Sequence, residues 1–105
     1  MEDRRYDVIM QTILGERKGS IQMCMEGKRV TGILDILGHA EPFEGEIDPE
    51  GNCELRGRMI TLVRNISYTA TGKIREEELD LSVEEERNIF IMHGIRRRAE
   101  RESGL

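Results

Sequence analysis

Tryptophan is absent from this 105-residue sequence, and two tyrosines and two phenylalanines are its only aromatic residues. A chain so poor in rings offers no platform on which single-stranded nucleic acid stacks successive bases. Basic excess is missing as well: 16 Lys plus Arg against 21 Asp plus Glu give a net charge of -5, so nucleic acid is not an expected partner. No stretch approaches the ~18 apolar residues of a membrane span. The start, MEDRRYDVIM, lacks the apolar core of a secretory signal. The expectation is a cytoplasmic protein with no membrane partner. The two cysteines, Cys24 and Cys53, fall on opposite faces of their strands in the reading below. That argues against pairing, and reduced thiols fit the compartment. GxSxG, a phosphate loop, CxxC and HExxH are all missing, so no cofactor is expected and no nucleophilic constellation is visible. HxH and ExxH spacings are absent too, and the sequence predicts no metal.

What the chain does have is alternation. Apolar and polar residues exchange places between clusters of turn formers, the pattern of half-buried strands. It predicts eight strands, 6–14, 20–26, 29–37, 43–48, 53–63, 66–74, 79–84 and 89–95, joined by GERKG, GK, GHAEP, PEGN, RN, REEE and EEERN. Such short connections make consecutive strands antiparallel neighbours. The prediction is an all-β, eight-stranded antiparallel up-and-down meander closing into a small barrel, with a strongly coiled β-sandwich as the alternative. Residues 1–95 form one domain in this reading. The last ten residues set Arg96, Arg97, Arg98 and Arg101 against Glu100 and Glu102, and 96–105 are expected to be a basic, flexible tail.

Alternation also assigns faces. Val30, Leu34, Ile36, Phe43, Ile47, Cys53, Leu55, Met59, Thr61, Ile66, Tyr68, Ala70, Ile74, Leu79, Leu81 and Val83 point inward. So do Gly32, Gly45, Gly57 and Gly72, one glycine in each of strands three to six. Glycine weakens a strand by roughly 0.5–1 kcal/mol relative to alanine. Two readings explain its repetition. A sheet this small must coil tightly to close, which glycine permits. The same missing side chains would also leave room for a small apolar ligand among Phe43, Gly45, Gly57, Met59, Tyr68 and Gly72.

Strands one and eight depart from the one-sided pattern. Val8, Met10 and Leu14 alternate with Ile9 and Ile13, and Phe90 and Met92 alternate with Ile89, Ile91 and Ile95. First and last strands are neighbours in a closed meander. Their outer residues, Ile9, Ile13, Ile89, Ile91, His93 and Ile95, would form one apolar patch, extended by Ile33, Leu37, Ile60 and Leu62. A patch of that kind predicts an interface, either a homo-oligomer or docking on a larger subunit.

Chemistry is sparsely marked. His39 and Glu41 lie in the predicted GHAEP turn, at the end that gathers Glu16, Lys18, Arg64, Glu84, Glu85, Glu86 and Arg87 as solvated loop charges. With Tyr68 they are the acid–base candidates. PFEGEI, ISYTATGKI and MHGI, the glycine-punctuated segments, resemble the calycin-like small barrels of lipocalin and avidin type. They are also similar to short bacterial glycine-punctuated β-repeat proteins. The resemblance implies an eight-stranded barrel with a small apolar or aromatic ligand in its mouth. The expected function is a small-ligand-binding or accessory barrel that self-associates through its apolar outer face. The alternative is a small cofactor-independent enzyme of isomerase, cyclase or lyase type.

Overall fold

The computed structural model describes residues 2–60 and 64–97. Eight strands follow in order: β1 (Glu2–Thr12), β2 (Gly15–Glu26), β3 (Arg29–Ile36), β4 (His39–Ile47), β5 (Asn52–Ile60), β6 (Asn65–Ile74), β7 (Glu78–Glu84) and β8 (Ile89–Arg96). Each pairs antiparallel with the next, and β1 pairs with β8, so the meander closes into a barrel rather than a sandwich. No helix among the described residues is long and apolar enough to cross a membrane. The domain boundary drawn at residue 95 falls inside β8, which runs on to Arg96, and the Arg97 amide donates to the Arg5 carbonyl. Residues 98–105 lie outside the described part.

Period-two patterning accounts for the walls. In β1, Tyr6, Val8 and Met10 are buried while Asp7, Ile9 and Gln11 face outward. The inward apolar residues of β3 to β7, from Val30 through Val83, join them in one core, with Ile47 partly buried against it, while Thr61 lies outside the described residues. Cys53 is buried in that core and Cys24 lies half-buried on the opposite face of its strand, both as free thiols. Leu14 is the exception to the predicted inward set, being 79% exposed. It belongs to a turn and not to a strand.

That correction is general at one end of the barrel. The chain reverses at Ile13–Leu14, before GERKG, and at Leu37–Gly38, so that only the first residue of GHAEP belongs to the turn. At the first reversal, Leu14 N–H donates to Thr12 Oγ1 (3.1 Å), which donates in turn to the Gly15 carbonyl (2.8 Å). At the second, Leu37 (φ 59°) and Gly38 (φ 81°) both take positive φ, as a two-residue turn of the kind that matches strand twist requires. His39 and Glu41 are therefore strand residues of β4, opposite Ile36 and Leu34.

The inward glycines sit where neighbouring chain comes closest. A methyl on Gly45 would lie 2.7 Å from Leu55 Cα and closer still to the Glu54 carbonyl oxygen. Gly57 is flanked by Phe43 on β4 and Tyr68 on β6. A methyl there would meet the Tyr68 hydroxyl at 2.7 Å and Phe43 Cβ at 3.0 Å. Side chains from both adjacent strands thus occupy the space that a side chain at 57 would need. The consequence is a nearly solid interior. The central void, bounded by Ile21, Leu34, Phe43, Leu55, Tyr68 and Met92 among others, is about 10 Å³, about the smallest space that holds one water.

The two ends differ. At one, Tyr6 Oη donates to the Arg75 carbonyl (2.6 Å) and accepts from Arg4 Nη1 (3.1 Å), and Arg4 is paired with Glu2 at 2.7 Å. Tyr6 itself is buried at that end, and outside it lies a cleft of about 610 Å³ bordered mostly by polar and charged groups, Glu2, Arg4, Asp48, Glu50, Arg75 and Glu76 among them. The other end carries the apolar turns and is open.

Candidate functional site

The open end holds a cleft of about 560 Å³, lined by Met10, Thr12, Ile13, Leu14, Arg17, Leu37, Met59, Ile66, Asn88 and Phe90. Four hairpins build it. Met10 and Phe90 rise from the inner faces of β1 and β8, Met59 and Ile66 from β5 and β6. Ile13, Leu14 and Leu37 come from the two turns. Volume and lining match those of small-molecule pockets, which are mostly apolar with a few polar groups. Two of the three polar residues are committed to the turns. Thr12 Oγ1 makes the two bonds described above, and Asn88 Nδ2 donates to Glu85 Oε2 at 2.6 Å.

Turn residues here are unusual in kind. Hairpin turns ordinarily carry Gly, Asn or Asp, yet Ile13 and Leu14 are 88% and 79% exposed at a hairpin tip. Leu37 holds a left-handed conformation (φ 59°) that costs a side-chain-bearing residue about 1–2 kcal/mol. Three apolar residues converge on one mouth against local preference. The sequence reading placed charged loops there. Glu16, Lys18 and Glu41 instead lie within β2 and β4, and the β1–β2 and β3–β4 tips are apolar, while Arg64, Glu85, Glu86 and Arg87 do lie between strands.

Glu85 departs furthest from the expected solvated loop charge. Its side chain is 1% exposed and accepts from Asn88 Nδ2, from Arg87 N–H at 3.2 Å and from Arg64 Nη2 at 3.5 Å. The Asn88 bond, reinforced by the Arg87 amide and the Arg64 charge, holds its carboxyl below the usual carboxylate range. It fastens the β7–β8 turn from which Asn88 meets the cleft.

The acid–base candidates are not gathered. His39 is exposed, Glu41 is half-buried, and neither lines the cleft or the central void. Tyr68 borders the void, and burial pushes its phenol up to about 12, away from the range in which a tyrosine exchanges protons near neutrality. Of the proposed ligand-binding residues, Met59 lines the cleft, Phe43 and Tyr68 border the void, and Gly45, Gly57 and Gly72 are closed over by neighbouring strands.

The outer faces of β1 and β8 present Ile9, Ile89, Ile91 and Ile95, from 36% to 60% exposed. Ile9 lies opposite His93, and Ile91 opposite Gln11. Ile13 is at the mouth instead. Ile33 is separated from β1 by β2, Leu37 packs toward the core, and Leu62 lies outside the described residues. Within this face His93 Nδ1 approaches Asp80 Oδ1 at 2.7 Å and Nε2 approaches Glu78 at 3.8 Å. The sequence reading did not join these three, which meet because Asp80 registers opposite His93 and Glu78 shares its face. The His93 bond, together with Arg75, keeps the Asp80 carboxyl below its usual range. All three are exposed, and Asp80 is already engaged by Arg75 at 3.1 Å, the arrangement of a surface ion-pair group.

Compared with models of known protein families, with curated proteins and with solved structures, the chain matches none.

Proposed function

We propose that the protein is a small-ligand-binding barrel whose site is the apolar mouth cleft and not the interior. One observation carries this reading: Ile13, Leu14 and Leu37, turn residues that local preference would make polar, border a cleft of about 560 Å³. The pattern-level likeness to calycin-like barrels, which bind apolar molecules at the mouth, favours the same reading. N-phenyl-1-naphthylamine, a neutral apolar fluorophore, tests it. Saturable binding at one site per chain is expected, weakened about tenfold or more in Leu14→Asp, since burying a leucine is worth about 1.5–3 kcal/mol. Ile91→Asp, on the outer face, should bind like wild type. Equal binding by wild type and Leu14→Asp would remove the cleft as the site.

The apolar outer face favours a second reading, self-association through β1 and β8, since so much exposed isoleucine on adjacent strands is uncommon in a monomer. Sedimentation at tens of micromolar should show a dimer or larger species that Ile91→Asp dissociates. A strictly monomeric wild type ends this second reading and leaves the first intact.

A further inference from the structure

Resting on the mouth-cleft reading, we infer that the ligand is an amphipathic anion, with an apolar body in the cleft and its charged group on Arg17. Arg17 supplies the one formal charge in the described lining. It stands on β2 opposite Met10, on the inward-pointing side of the strand where β2 runs past the packed core toward the Ile13–Leu14 turn. Among the described residues its guanidinium makes a single hydrogen bond, from Nη1 to the Glu16 carbonyl at 3.1 Å. Among the described residues it has no carboxylate partner, a state it shares with Arg5, Arg29, Arg58 and Arg87, whereas Arg4, Arg56, Arg64, Arg75, Arg96 and Arg97 are ion-paired; Arg17 is the one of these arginines that lines the cleft. The neighbouring acid, Glu16, accepts instead from Gln11 Nε2 at 3.1 Å.

A guanidinium has five N–H donors, so four remain for a ligand. Of the other polar lining residues, Thr12 Oγ1 and Asn88 Nδ2 are engaged in the turns. Arg17 is thus the one charged donor in a cleft whose walls are mainly apolar, Met10, Leu37, Met59, Ile66 and Phe90 among them. An unpaired guanidinium beside apolar walls favours a carboxylate or phosphate that it grips through two parallel bonds. Neutral apolar molecules satisfy the walls but leave those donors to water.

The test compares decanoate, decyl phosphate and neutral 1-decanol as competitors of N-phenyl-1-naphthylamine, on the full chain at low salt. Wild type is expected to prefer at least one of the two anions over decanol by about tenfold, and which anion wins distinguishes a carboxylate from a phosphate head. Arg17→Gln should lose that preference while keeping its affinity for decanol, and Arg17→Lys should keep part of it. The preference should shrink as salt is raised, since a partly exposed pair is screened. Equal affinity of wild type for anions and alcohol, or a preference that survives in Arg17→Gln, overturns the inference while the mouth-cleft reading stands. Failure of the fluorophore and of all three competitors to bind overturns both.

Discussion

The steric origin of the inward glycines is testable by adding one methyl at a time. At Gly45 the new carbon would lie 2.7 Å from Leu55 Cα, with the Glu54 carbonyl nearer still. Both obstacles are backbone of β5, so no rotamer change relieves them and the strand pair must part. Overpacking a well-filled core costs about 1–3 kcal/mol, and replacing a strand glycine by alanine returns about 0.5–1 kcal/mol through the unfolded chain. With an immovable obstacle the upper end applies, and a net loss of about 2 kcal/mol is expected for Gly45→Ala. In a domain of this size that lowers the melting temperature by roughly 8–16 °C. Gly57 differs in what stands in the way, namely the Tyr68 hydroxyl at 2.7 Å, then Phe43 Cβ at 3.0 Å and the Pro42 carbonyl at 3.1 Å. Tyr68→Phe removes the first of these. Among the described residues the hydroxyl makes no hydrogen bond whose loss would offset the gain. Thermal and urea unfolding of the single and double variants, followed by circular dichroism, should show Tyr68→Phe recovering about 1 kcal/mol of the loss in Gly57→Ala and none in Gly45→Ala, a coupling typical of residues in contact. Gly45→Ala melting at or above wild type, or equal rescue of both alanine variants, would refute the account.

Three further outcomes are expected. Leu37→Asn relieves a left-handed leucine (φ 59°) and should raise stability by up to about 1 kcal/mol while weakening fluorophore binding; tighter binding would contradict the role given to this turn. Glu85 has a depressed carboxyl, so its contribution to stability is full above its unfolded value and is lost as pH falls through its folded one. Melting temperature should thus drop in acid below pH 4.5, the ordinary glutamate value, and less steeply in Asn88→Ala, which removes the largest cause; parallel pH profiles would argue against it. Burial pushes the Cys53 thiol up to about 11 while Cys24 is half-buried on the outside, so Ellman's reagent at pH 8 should label Cys24 in the native protein and Cys53 only after unfolding. Simultaneous labelling of both would mean the faces are misassigned.

The walls of the barrel were legible because a period of two survives in every strand. Val30, Leu55 and Leu81 each alternate with charge or hydroxyl, and each is buried. The mouth was not legible, for a physical reason. GERKG and GHAEP have the composition of turns, yet the chain turns one or two residues earlier, through Ile13–Leu14 and Leu37–Gly38. Composition signals a turn by what is cheap there, and these turns are not cheap. Nothing in the string marks Leu37 as left-handed. A cleft assembled from four hairpins also has no linear signature, so Arg17 and Asn88 looked like any other polar residue. The Glu78–Asp80–His93 group was hidden in the same way, since only the β7–β8 register sets His93 opposite Asp80.

The closing seam between β1 and β8 bears on how the barrel assembles. Every other strand pairs with its immediate neighbour in the chain, whereas Asp7 finds its partner at Ile95. Loop closure over such a separation is slow compared with hairpin formation, so the seam is expected to form last. Until it does, the chain is an open ribbon whose two free edges are β1 and β8, the strands that carry Ile9, Ile89, Ile91 and Ile95 on their outer faces, the species most exposed to joining another chain edge to edge. Pulse-labelled hydrogen exchange during refolding should then protect the amides of the seven local hairpins before those shared by β1 and β8, with the yield of folded barrel falling as protein concentration rises.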